Sequence, residues 1–161
     1  ASRNSAVVAA SRTLTARLTA RQLSGNPCRL AYLHHSGFSM SMHQVFVYGT
    51  LRPGERNHHF MATATHLGAY TTPGCFTLLD TGPYPAALDE GQTALVGDVF
   101  AVDADTFAAL DRLEDYPVHY TRRELATDYG DAWIYLWIAA RDPAWPAIEH
   151  GDWRRHVESA G

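Results

Sequence analysis

The chain has 161 residues, 46% of them hydrophobic, with four Trp, eight Tyr and six Phe, which is enough for one packed domain. Its net charge of −4 is uneven: residues 1–41 carry five Arg and no acid, while residues 42–161 carry eight Arg and all 17 acids. An acidic body argues against nucleic acid, whose binding leans on phosphate neutralisation, and against an anionic membrane surface, and no apolar run approaches the roughly 20 residues that span a bilayer.

Residues 1–41 are rich in Ser, Ala, Arg and Thr and show no sustained apolar period. They read as an N-terminal extension, either disordered or non-native to the domain, with a transit-type targeting segment as the other reading. The domain is therefore expected over residues 42–161. Two cysteines, Cys28 and Cys75, are too few for a disulfide framework or a four-thiolate site. They fit a reducing cytoplasm, with Cys75 a small buried apolar residue.

From Met42 the elements follow in order. Val45-Phe46-Val47-Tyr48 is a short run of strand formers ended by Gly49. Residues 52–57 form a loop by turn chemistry, and 58–67 a short helix. Residues 68–79, with Pro73-Gly74 inside, predict two strands meeting at a turn, followed by a rigid loop at 81–85. Residues 94–102 predict a strand and 104–114 the strongest helix. Strands at 120–126 and 132–140 are joined through Tyr129-Gly130-Asp131 as a hairpin. The tail from Asp142 onward, with two Pro and two Trp, is expected to pack irregularly. The whole predicts an α+β fold, a small mixed β-barrel or curved sheet with one or two short helices.

Two places can carry chemistry. The first is Tyr48-Gly49-Thr50-Leu51, where a strand ends abruptly at glycine. Successive N–H groups in such a turn can cradle a carboxylate, and Arg52 and Arg56 can add positive charge. On spacing alone, a tight strand exit is the better explanation of Gly49. The second is Glu114. Asp103 can cap the helix and Asp105 suits its first turn. Phe107, Leu110 and Glu114 then fall on one face. Glu114 also sits in the last turn, where burial and the helix dipole both raise a carboxyl pKa. The alternative is that Leu113 carries the buried stripe and Glu114 is an exposed end. Asp111 and Asp115 read as solvated, or paired with Arg112 and Arg122. The scattered His residues show no ligand spacing, so no metal is expected, and no phosphate loop or nucleophile elbow is present.

The segment VFVYGTLRPG, Val45 to Gly54, resembles the opening signature of the gamma-glutamylcyclotransferase-like superfamily, in particular the gamma-glutamylamine cyclotransferases and their small bacterial relatives. The resemblance continues through Asn57-His58, Tyr84-Pro85, Gly97 to Val102, Leu110 to Glu114, Tyr120 to Arg122 and Gly151-Asp152-Trp153. It implies release of 5-oxoproline from a small gamma-glutamyl amide without a cofactor. It implies Glu114 as catalytic acid/base, and Tyr48, Gly49, Thr50, Leu51, Tyr84 and Tyr120 as substrate-binding residues. Asp115 departs from the pattern, since many relatives carry a small residue after the catalytic Glu. A non-catalytic module that binds an amino-acid-like ligand is the alternative. Oligomeric state is not set by the sequence.

Overall fold

In the computed structural model, residues 41–161 are described; all but the last residue of the N-terminal extension read from the sequence lies outside them. The strands are β1 (His43–Val47), β2 (Thr65–Thr71), β3 (Phe76–Asp80), β4 (Pro85–Thr93), β5 (Val96–Val102), β6 (Tyr120–Thr127) and β7 (Gly130–Trp137). The helices are α1 (Ala104–Leu113) and α2 (Trp153–Ala160), with one 3₁₀ turn at His58–Met61.

Five strands form one mixed sheet in the order β2-β5-β1-β7-β6, and β3 and β4 form a separate hairpin. The fold is thus α+β with a curved sheet, and the expected alternative of a barrel is not closed. β1 sits at the centre, antiparallel to β5 and parallel to β7. That position explains its unbroken apolar run, because both faces are covered. Val45 and Val47 enter one core cluster with Phe107 and Leu110 of α1. Phe46 and Tyr48 enter a second with Leu78, Ile134 and Trp153. The period-2 alternation of a strand therefore feeds two cores from four consecutive residues.

Four expectations are corrected. The predicted helix at 58–67 shrinks to the 3₁₀ turn, because Thr65 already begins β2 on β5. The strands on either side of Pro73-Gly74 do not pair with each other: β2 joins the large sheet and β3 pairs with β4. β4 was not expected at all; its PAALDEGQT sequence carries residues that strands disfavour, and Pro is tolerated there only because it is the first residue. The tail is less irregular than expected, since Asp152 accepts from the N–H groups of Arg154 and Arg155 and so caps α2.

Cys75 is buried, but it is not a free thiol. The cysteine count therefore carries no argument for a reducing compartment. No helix among the described residues is long and apolar enough to cross a membrane.

Candidate active site

β1 runs into a tight turn in which the Arg52 N–H donates to the Gly49 carbonyl at 3.1 Å. The Asn57 N–H donates to the Thr50 carbonyl, and Asn57 Nδ2 donates to Thr50 Oγ1, both at 3.0 Å. No hydrogen-bond partner of the backbone N–H of Thr50 or Leu51 is found among the described residues. Gly49 is required by proximity: a Cβ there would stand 2.7 Å from Pro85 Cγ. The hairpin of β3 and β4 thus presses directly onto the turn, and any side chain at position 49 would push it away.

Beside this turn lies a cavity of about 310 Å³. Its wall includes Tyr48, Gly49, Thr50, Leu51, Tyr84, Glu114 and Tyr120. All seven residues singled out from the sequence are therefore brought to one place, from β1, the start of β4, the end of α1 and the start of β6. The structure adds Asn57, His119, Tyr135 and Trp137 to the wall, which the sequence reading missed. Tyr135 and Trp137 looked like ordinary strand aromatics, and only the pairing of β7 with β1 and β6 turns them inward.

Of the two arginines expected near the turn, only Arg56 lines the cavity. Arg52 is buried and points elsewhere. Its Nε donates to Asp98 and its Nη1 to Asp152, each at 2.9 Å, and His66 Nε2 meets the other oxygen of Asp98 at 2.9 Å. Arg52 therefore ties the turn to β5 and to the cap of α2. Among the described residues, Arg56 has no carboxylate partner.

α1 begins at Asp103, whose side chain accepts from the Thr106 N–H at 2.7 Å, as expected. It ends at Glu114, whose own N–H still reaches the Leu110 carbonyl at 2.9 Å. Leu110 is fully buried, and Leu113 packs partly against the same core. Glu114 is half-buried and faces the cavity rather than bulk solvent, so the exposed-end alternative does not hold. Burial pushes its carboxyl from the ordinary value of 4.5 up to about 7. No salt bridge or side-chain hydrogen bond to it is found among the described residues.

Asp111 is not solvated: Arg122 Nε and Nη2 hold it at 2.9 and 3.2 Å, and the Tyr135 hydroxyl donates to it at 2.7 Å. Asp115 pairs with His119 rather than with an arginine. The cavity hydroxyls are fixed too. Tyr48 donates to the Tyr135 carbonyl at 2.7 Å and Tyr120 to the Pro85 carbonyl at 3.3 Å. Burial raises the pKa of both phenols, so they remain neutral donors. Among the described residues, no three His, Cys, Asp or Glu side chains gather as a metal-holding group.

A half-buried carboxyl without a salt-bridge partner thus shares one cavity with a turn whose N–H groups are unused, beside a mixed five-stranded sheet. The family model described as "Gamma-glutamyl cyclotransferase, AIG2-like" matches residues 45–155, and the chain belongs to this family. A protein of Vibrio cholerae, provisionally named a gamma-glutamylcyclotransferase, is 44% identical over 115 residues, covering 71% of this chain and 98% of its own length. The solution structure of YtfP from Escherichia coli aligns with a TM-score of 0.59 and 35% identity, over 71% of this chain and 98% of that one. The crystal structure of a Mus musculus AIG2-like protein aligns with a TM-score of 0.61 and 27% identity, over 70% of this chain and 88% of that one.

Proposed function

We propose that the protein is a cyclotransferase that releases 5-oxoproline from a gamma-glutamyl amide. The observation that carries this reading is Glu114: a carboxyl titrating at about 7, in one cavity with the N–H groups after Tyr48.

A gamma-glutamyl amide holds its own nucleophile. Its α-amine reaches the side-chain carbonyl and closes a five-membered ring, but at neutral pH that amine is protonated. A carboxylate with a pKa near the working pH is suited to take the ammonium proton and later return it to the departing amine. The N–H groups of Thr50 and Leu51, with Arg56, suit the α-carboxylate. Holding the substrate folded uses intramolecular proximity, which supplies on the order of 7–11 kcal/mol in favourable cases. The Tyr120 phenol, which donates to the Pro85 carbonyl at 3.3 Å, would have to exchange that long bond for one to the oxyanion in order to stabilise the tetrahedral intermediate.

The alternative of a binding module gains nothing from this geometry. A site that only held a ligand would have no use for a carboxyl whose charge is destabilised, and pairing of Glu114 with Arg122, which would have favoured that alternative, does not occur. The test is a panel of gamma-glutamyl amides (of an ε-lysine, an α-amino acid and a polyamine) read out as 5-oxoproline. Product from at least one is expected. No product from any of them would remove the cyclotransferase reading.

A further inference from the structure

We propose that His119, oriented by Asp115, carries the second of the two protons that cyclisation must move, from the ring nitrogen to the departing nitrogen. The proposal rests on the cyclotransferase reading and deepens it.

The need follows from counting protons. The substrate enters with an α-ammonium and an amide N–H. It leaves as a lactam N–H and an alkylammonium. The α-nitrogen therefore loses two protons and the leaving nitrogen gains two. Glu114 can hold only one at a time. When the α-amine has attacked, the new C–N bond is formed but the ring nitrogen still carries an extra proton. The leaving nitrogen cannot depart as an amide anion and must gain a proton first.

His119 is built for that transfer. It lines the same cavity as Glu114. Its Nδ1 meets Asp115 Oδ2 at 2.5 Å, and Asp115 directly follows Glu114 in the chain. A carboxylate on Nδ1 fixes the tautomer with hydrogen there, which leaves Nε2 able to accept. The ring stacks on Trp137 at 5.5 Å between centroids and 24° between planes. The backbone is equally fixed: the His119 N–H donates to the Asp115 carbonyl at 3.0 Å, and the His119 carbonyl accepts from the Ile138 N–H at 2.9 Å. Asp115 is also the only non-glycine residue with positive φ among those described, at +49°. Glycine adopts this region freely, and Asp and Asn are the side-chain-bearing residues that enter it most often. The carboxylate next to the base thus holds a histidine at the wall of the same cavity.

Glu114 takes the first proton from the α-ammonium. After attack, His119 Nε2 takes the second from the ring nitrogen. It gives that proton to the leaving nitrogen, bonded to the same tetrahedral carbon, as the C–N bond to the amine breaks. The released amine then takes the proton held on Glu114. Both side chains return to their starting states, and nothing else is consumed.

The test compares a gamma-glutamyl ethylamide with a gamma-glutamyl 4-nitroanilide, because an alkylamine needs a proton to leave and a nitroanilide needs it far less. For His119→Gln, kcat/KM is expected to fall about a hundredfold on the ethylamide and by less than about tenfold on the nitroanilide. Asp115→Asn, which suits the positive φ, should show a smaller loss with the same preference. Equal loss on both substrates, or no loss on either, would overturn the proposal while leaving the cyclotransferase reading intact. A folded wild-type protein inert toward both amides and toward every member of the panel above would overturn that reading, and this proposal with it.

Discussion

Arg122 grips Asp111 with two nitrogens, at 2.9 and 3.2 Å, three residues before Glu114 on the same helix. The pairing decides the character of the site. Arg122 is further boxed by the rings of Phe107, Tyr116 and Trp133, each within 4.7 Å of its guanidinium carbon. It is therefore not free to swing toward Glu114. A guanidinium there would lower the carboxyl pKa; with Asp111 holding it, burial alone governs Glu114.

The first consequence is kinetic. If the Glu114 carboxylate is the working base, kcat/KM should rise with pH through about 7 and then level before other groups titrate. A pH–rate profile on one gamma-glutamyl amide measures this. A profile rising only near the ordinary carboxyl value of 4.5 would show that the titrating base is not this one.

The second concerns stability. The folded-state pKa of Glu114 is raised from 4.5 to about 7, so the folded protein binds this proton more tightly than the unfolded chain does. Relative to a protonated or neutral group, Glu114 therefore costs nothing below about pH 4.5, destabilises the fold increasingly as pH rises to about 7, and carries the full penalty above. Glu114→Gln removes that penalty. The variant should be more stable than wild type at pH 8 by about 1–3 kcal/mol and nearly equal at pH 4. Urea unfolding at the two pH values measures both.

The third concerns Arg52. Its guanidinium is buried between Asp98 and Asp152, so Arg52→Ala leaves Asp98 buried with only His66 beside it. Breaking a buried pair costs about 3–5 kcal/mol, and His66 at 2.9 Å places the expected loss at about 3 kcal/mol. Because Arg52 also anchors the turn to α2, KM should rise in any variant that still folds. Chemical denaturation and steady-state kinetics measure the two effects separately.

Much of the site is legible in the sequence. Val45 to Gly49 reads as a strand ended by glycine, and the spacing of Phe107, Leu110 and Glu114 turns the carboxyl inward. Both are local periodicities, and tertiary packing agreed with them. What was not legible depends on distant partners. Gly49 is needed because Pro85 comes within 2.7 Å of where its Cβ would be, not because of its own dihedral angles. Arg52 looked like a cation for the cavity, but Asp98 and Asp152, 46 and 100 residues away, claim it. β4 was hidden because its Pro, Gly and acidic residues disfavour strands, and pairing with β3 overrides that preference. His119 was hidden because a lone histidine has no spacing signal, and its meaning comes from Asp115 and Trp137.

The central claim is that Glu114 handles the proton of the cyclising amine. The direct measurement is 5-oxoproline release from a turned-over gamma-glutamyl amide by wild type and Glu114→Gln, with the fold of both checked by circular dichroism. The expected result is a folded variant whose turnover falls by about 10²–10⁴-fold. A folded Glu114→Gln protein that releases 5-oxoproline at a near wild-type rate would contradict the account.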